Sequence, residues 1–164
     1  MTQHVTIHRR PVEEADQPFL YELYASTRAE ELAVTGWSPE QKAAFLRMQF
    51  DAQTAHYRTY YAGSEFSIIE ADGVPAGRLY VARWANEIRI VDIALVPQFR
   101  NRGIGTQLIG EVLAEGRESG KPVTIHVETF NPALRLYQRL GFRAKEDKGV
   151  YLLLEWSLDH QAGS

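Results

Sequence analysis

Apolar positions recur at helical spacing in two early stretches, alternate with period two through the middle of the chain, and return to helical spacing after residue 103. A short strand over residues 5–9 leads to Asp16, set as an N-cap, and then to a helix with Leu20, Leu23, Tyr24 and Thr27 on one face. A second helix opens with Ser38, Pro39 and Gln41, which read as N-cap, first-turn proline and capping-box partner. Its apolar side is expected along Phe45, Met48, Gln49 and Ala52, and the two helices join around Gly36 and Trp37. From residue 65 to 96 the alternation predicts an antiparallel meander: FSIIEA, the hairpin pair Asp72-Gly73, AGRLYVARW, a turn near Asn86, and EIRIVDIALV.

A helix over residues 104–118 stops near Ser119-Gly120, and PVTIHVE is the next strand. Because a helix separates them, the strands ending at Val96 and Glu128 are expected to lie parallel, joined by a right-handed crossover. Asn131 and Pro132 cap and start a short helix over residues 133–140 that Gly141 ends. Two last strands, residues 142–146 and 150–156, turn at Lys148-Gly149. The element order predicts an α/β fold: a mixed, mostly antiparallel sheet with helices on both faces.

Length and charge narrow the function. A chain of 164 residues fits one domain that buries roughly 70% of its unfolded surface; the domain is expected over residues 1–158, with residues 159–164 a flexible tail. Without cysteine there is no disulfide, thiolate nucleophile or thiolate metal site, and the five histidines lack metal-ligand spacing, so no metal is expected. Net charge is −3 with scattered basic residues, which argues against a nucleic-acid partner. The first ten residues hold no apolar signal core, and no apolar run approaches a bilayer span, so the expectation is a cytoplasmic protein away from membranes. A homodimer is compatible with the sequence.

The chemistry centres on IALVPQFRNRGIGTQLIG, residues 93–110, a strand that passes through a glycine-bearing turn into a helix. Arg100, Gly103 and Gly105 form R-x-x-G-x-G, a backbone that turns tightly and lets a ligand come close. A phosphate there would sit on the N–H groups at the positive end of the helix, with Arg100 and Arg102 adding charge. No Lys-Ser/Thr follows the second glycine and no third glycine completes a dinucleotide fingerprint, so the ligand is phosphate-bearing but neither a nucleoside triphosphate nor a nicotinamide dinucleotide. A strand-to-helix turn also carries glycine for backbone reasons alone, and the sequence leaves that alternative standing.

This loop, followed by NPALRLYQRLGF at residues 131–142, resembles the GNAT superfamily of acetyl-CoA-dependent N-acetyltransferases, closely over residues 87–144. The resemblance implies a splayed parallel strand pair at the centre of the sheet and acetyl-CoA as cosubstrate. It assigns the pyrophosphate to the backbone of Arg102, Gly103, Ile104, Gly105 and Thr106, and the pantetheine arm to the backbone of Ile93, Ala94 and Leu95. A backbone N–H of that strand would be the oxyanion donor. Asn131 matches the position that touches the CoA arm, and Tyr137 the tyrosine that protonates the departing thiolate. Asn131 is also a good helix cap, and Tyr137, three residues from Leu134 and Leu140, also reads as a core aromatic.

Acetyl transfer to an amine needs a neutral nucleophile, and a lysine-like amine with a pKa near about 10.4 is mostly protonated at neutral pH. Candidate bases are Glu87, Asp92 and Glu128, led by Asp92, which interrupts an apolar strand where burial would tune it for proton abstraction. His126 shares the Glu128 face and reads first as a structural histidine. An acceptor wall built on the first two helices would draw on Tyr24, Arg28, Glu31, Trp37, Phe45 and Met48, with Glu31 suited to a cationic amine and Arg28 to a carboxylate. The sequence thus predicts an N-acetyltransferase acting on a primary amine of a small molecule or peptide. Two alternatives are a non-catalytic CoA-binding sensor or partner-binding module, and an acyltransferase using longer acyl groups or an oxygen nucleophile.

Overall fold

The computed structural model describes residues 5–159, so the tail expected from residue 159 lies almost wholly outside the described residues. Seven strands, β1 (Ile7–Pro11), β2 (Glu65–Ala71), β3 (Val74–Arg83), β4 (Ile88–Leu95), β5 (Val123–Glu128), β6 (Arg143–Asp147) and β7 (Tyr151–Trp156), form one sheet. Their order is β1-β2-β3-β4-β5-β7-β6. Four helices accompany it: α1 (Gln17–Ala33), α2 (Pro39–Tyr60), α3 (Ile104–Ser119) and α4 (Leu134–Arg139). As the intervening helix α3 required, β4 and β5 are parallel, and they occupy the centre of the sheet. Their register runs Ile88↔Val123, Arg89↔Thr124 and Ile90↔Ile125, after which β4 continues to Leu95 and β5 to Glu128 without pairing to each other. The central strands therefore splay, and the sheet opens where the sequence placed its chemistry.

The chain packs as two compact units, one reaching to Leu79 and including Ala94–Arg100, the other comprising Tyr80–Ile93 and the residues from Asn101 onward. In the first, β1 pairs antiparallel with β2, Ile7 opposite Ala71. It starts two residues later than the alternation suggested, because an edge strand takes its limits from its one partner and tolerates Pro11 at its end. Leu20 and Tyr24 of α1, Phe50 of α2 and Ile68 of β2 make a buried cluster, with Leu46 and Tyr21 against it. Thr27 does not join that face; its hydroxyl donates to the Tyr24 carbonyl at 2.7 Å. The α2 capping box forms as expected, the Ser38 hydroxyl accepting from the Gln41 N–H and the Gln41 side chain from the Ser38 N–H. Its buried stripe, however, runs through Leu46 and Phe50, while Met48 is 59% exposed and Ala52 is open. The expected face is thus rotated, since a weakly amphipathic helix is oriented by its packing partners.

Asp16 precedes α1 but does not cap it with its side chain. Its carboxylate instead accepts from the Arg10 guanidinium twice at 2.8 Å and from the Glu13 N–H at 2.7 Å, and Arg10 donates further to Glu70 at 2.9 Å. The Arg10 hydrogen bonds hold the buried carboxyl below the usual carboxylate range. Stability from this pair is therefore present in full above about pH 4 and is lost as pH falls through the depressed folded value. Asp16→Asn is expected to cost on the order of 2 kcal/mol at pH 7 and progressively less below pH 4. Urea unfolding across that range checks it, and equal stability at neutral pH would remove the pair from the account.

In the second unit α3 buries Ile104, Leu108, Ile109, Val112 and Leu113, β5 buries Val123, Ile125 and Val127, and Trp156 of β7 is fully enclosed. β7 pairs antiparallel with β5 and with β6, and β6 is exposed at every position. Phe142, expected to begin β6, is buried against Tyr137 instead. Among the described residues no helix is long and apolar enough to cross a membrane.

Candidate active site

The second half of β4 departs from its sequence. Val91, Ile93 and Leu95 belong to the most apolar strand of the chain, yet all of residues 91–95 are only half-buried. Beyond it come buried Val96, a 3₁₀ turn at Pro97–Phe99, and Arg100. The Arg100 guanidinium donates to the Leu95 carbonyl at 2.8 Å and to the Ser26 hydroxyl at 3.3 Å. It therefore ties down the strand end in addition to carrying charge. Gly77 of β3, missed by the sequence reading, completes this region: a β-carbon there would collide with the Ala94 carbonyl.

Helix α3 begins with Gly103 in the left-handed region, φ +81°. Its first backbone bond runs from the Gln107 N–H to the Gly103 carbonyl at 3.0 Å. The N–H groups of Ile104, Gly105 and Thr106 thus have no intrahelical acceptor and carry the positive end of the helix dipole. Ile104 is buried and anchors this turn, while Arg102 and Thr106 are exposed. The two glycines differ. Gly103 meets the backbone's need for positive φ, whereas Gly105 has ordinary helical backbone and a β-carbon on it would meet nothing within 4 Å. Neither conformation nor packing calls for glycine at 105. What its missing side chain provides is bare backbone facing outward, which suits the close approach of an anion.

Tyr137 is 6% exposed, with its ring edge-on to Phe142 at 5.7 Å between centroids. Burial, and then the charge of Asp92, pushes its phenol up to about 12, so it stays protonated at neutral pH. Asp92 itself is half-buried rather than enclosed. Asn131 uses its side-chain oxygen on the Ala133 N–H at 2.8 Å, an Asx turn ahead of α4 rather than a cap on its first residue.

Side chains on β4 and β5 divide between two faces by the period of a strand. Asp92 shares the side of Ile88 and Ile90. Arg89 is in register with Thr124 on the other, together with His126 and Glu128. There the Glu87 carboxylate accepts from the Thr124 hydroxyl at 2.5 Å and from Arg89 at 3.3 Å, and Arg89 donates to the Thr124 oxygen at 2.6 Å. Arg89 and Lys148 flank the His126 ring at 3.4 and 3.3 Å. Burial, then the charges of Arg89 and Lys148, lowers the His126 pKa. The polar row Thr124, His126, Glu128 in an otherwise apolar strand was the sequence signal for this network, but its partners on β4 and in the β6–β7 turn come together only in the fold.

In the first unit Arg28 and Glu31 neutralise each other at 2.9 Å, one turn apart on α1. Trp37 stands edge-on to Phe45 at 5.3 Å and lines an open groove of about 470 Å³ with Gln41, Ala44 and Met48.

A family model described as the acetyltransferase (GNAT) family matches residues 19–142. An uncharacterised N-acetyltransferase of Methanocaldococcus jannaschii is 33% identical over 49% of this chain and 40% of its own length. The cysteine-rich protein 2-binding protein of mouse is 39% identical over 37% of this chain, which spans 8% of it. The chain thus spans less than half the length of these curated relatives. Among solved structures, the PaiA N-acetyltransferase of Thermoplasma acidophilum in complex with coenzyme A superposes with a TM-score of 0.70 at 18% identity, over 93% of this chain and 99% of that one. An Elizabethkingia anophelis GNAT acetyltransferase with acetyl-CoA bound gives 0.60 at 21% identity over 96% and 100%. The ribosomal-protein-S18-alanine N-acetyltransferase of Escherichia coli gives 0.63 at 16% identity over 93% and 94%. The structural likenesses establish the fold, the family match covers most of the chain, and the splayed strands and glycine loop agree with both: the chain belongs to the acetyltransferase (GNAT) family.

Proposed function

We propose that this protein transfers the acetyl group of acetyl-CoA to a primary amine of a small molecule or peptide by direct attack. The observation that carries the reading is Gly105, bare of side chain at a helix start whose N–H groups have no intrahelical acceptor, where neither a positive φ nor a packing contact calls for glycine. Residues 100–106 would hold the pyrophosphate. The backbone of Ile93, Ala94 and Leu95, in the half-buried stretch of β4, would pair with the pantetheine arm, with Asn131 beside it. Acetyl-CoA or coenzyme A in the Elizabethkingia and Thermoplasma structures supports the same donor here.

In this reading the neutral amine attacks the thioester carbonyl, a β4 N–H stabilises the oxyanion, and collapse breaks the carbon–sulfur bond. The sulfur takes its proton from the Tyr137 hydroxyl, and the nitrogen gives up its own to a carboxylate. Asp92 led the candidate bases from sequence, but its charge bears on Tyr137, where it opposes ionisation of the phenol. We assign the amine's proton to Glu128, at the splayed end of β5 on the face of the His126 network, and leave Asp92 as a neighbour of the acid on the opposite face. Arg28, Glu31 and Trp37 remain acceptor contacts in the proposal.

The direct test is incubation with acetyl-CoA and a panel of amines, following free thiol and acetylated product by mass spectrometry. Acetylation of at least one amine is expected; thioester hydrolysis alone, or none, would contradict it. With an acceptor in hand, Glu128→Gln should shift the rising limb of rate against pH toward the free amine's own pKa, and Asp92→Asn should leave that limb in place. An unmoved limb in Glu128→Gln would mean that the enzyme recruits the already neutral amine and accelerates by orientation.

A further inference from the structure

We propose that Lys148, His126 and Arg89 form a recognition site for an anionic group on the acceptor, so that the substrate is an amine that also carries a carboxylate or phosphate. The inference rests on the assignment of the amine to the Glu128 face. His126 has Arg89 opposite Nδ1 and Lys148 opposite Nε2. Both neighbours are donors, but a neutral imidazole offers one acceptor and an imidazolium none. One of the two cations must therefore face a ring N–H, a contact with donors on both sides. An anion oxygen beside Lys148 and the ring would accept from both and remove the conflict, while Arg89 keeps the other nitrogen.

Two of the nearby carboxylates are already engaged. Glu87 is engaged by Thr124 and Arg89, and Glu155 by Lys145 at 2.9 Å. The groups that bear on His126 are Arg89, Lys148, Glu146 and Glu87, of which Glu146 lies on exposed β6. The turn that carries Lys148 is ordered: the backbone N–H of Lys148 donates to the Tyr151 carbonyl at 2.8 Å, and that of Gly149 to the Asp147 carboxylate at 2.9 Å. Burial and the two flanking cations lower the ring's pKa, and an anion seated beside it would offset both cations.

Spacing narrows the substrate further. His126 and Glu128 are two residues apart on one face of β5, roughly 7 Å. The acid group is then several bonds from the amine, farther than the carboxylate of an α-amino acid from its own nitrogen.

The test compares acceptors of one chain length: a plain alkyl amine, an ω-amino carboxylate and an ω-amino phosphate ester. The kcat/KM ratio of the better anionic acceptor over the plain amine should exceed about tenfold, and in Lys148→Ala that preference should disappear. Lys145→Ala, which removes an equal charge from the paired lysine nearby, should keep it. No preference in the wild type, or one that survives in Lys148→Ala, would overturn the proposal. The His126 ring resonances give a readout without turnover. In the CoA-saturated protein, the anionic acceptor should move them and raise the ring's pKa, and the plain amine should not. Movement by the anion without acetylation of any amine would retain the site and contradict the transferase reading; resonances unmoved by either anion would overturn the site while leaving that reading to the amine panel.

Discussion

Gly105→Val is expected to weaken acetyl-CoA binding by roughly 100-fold or more and to leave the protein folded. The separation of the two effects comes from the backbone. Valine at Gly103 would be forced into a left-handed conformation and would strain the start of α3, so lost binding there would confuse two causes. At Gly105 the backbone is ordinary helix and the space beyond Cα is open, so the new side chain meets no protein atom within van der Waals reach of its Cβ. It meets only the ligand. Its branched carbons would stand over the N–H groups of the first turn and hold a diphosphate away from them. Calorimetric titration of the folded variant checks this, and wild-type affinity would return the glycine to a local backbone preference and withdraw the loop assignment.

Tyr137→Phe is expected to lower kcat by about 10² to 10⁴ with CoA affinity unchanged. The ring stays to fill the space against Phe142, so the variant removes the proton and little else. Because burial and the Asp92 charge push the phenol up to about 12, Tyr137 contributes no alkaline limb to the rate below about pH 10, and a fall in rate there belongs to another group. Unchanged turnover would make Tyr137 a core aromatic and leave the thiolate to take its proton from another group or from solvent.

Features set by local chemistry were legible in the sequence, and features set by tertiary partners were not. The meander from residue 65 to 96 was readable because strand alternation and the Asp72-Gly73 hairpin are properties of neighbouring residues, and both glycine-type conformers at that turn appear, φ 51° and 80°. The parallel pair followed from the length of chain between the strands. The face of α2 did not follow, because with scattered apolar residues its orientation is decided by Tyr21, Tyr24 and Ile68 rather than by its own pattern. Asp16 was read as a cap because the sequence cannot show that Arg10 would reach it first. The loop was legible as a motif; a backbone reason for glycine holds at Gly103, with φ +81°, and does not extend to Gly105, whose backbone is ordinary helix. The His126 network stayed hidden because its members come from β4, β5 and the β6–β7 turn, and no spacing along the chain records that they meet.

The most direct measurement is a titration of the nitrogen-labelled protein with acetyl-CoA, read by the backbone amide resonances. The account predicts the largest shifts at Gly103, Ile104, Gly105 and Thr106, whose N–H groups would receive the diphosphate, followed by Ile93, Ala94 and Leu95 along the splayed end of β4. Binding that moves other amides and leaves Ile104 to Thr106 in place would contradict it.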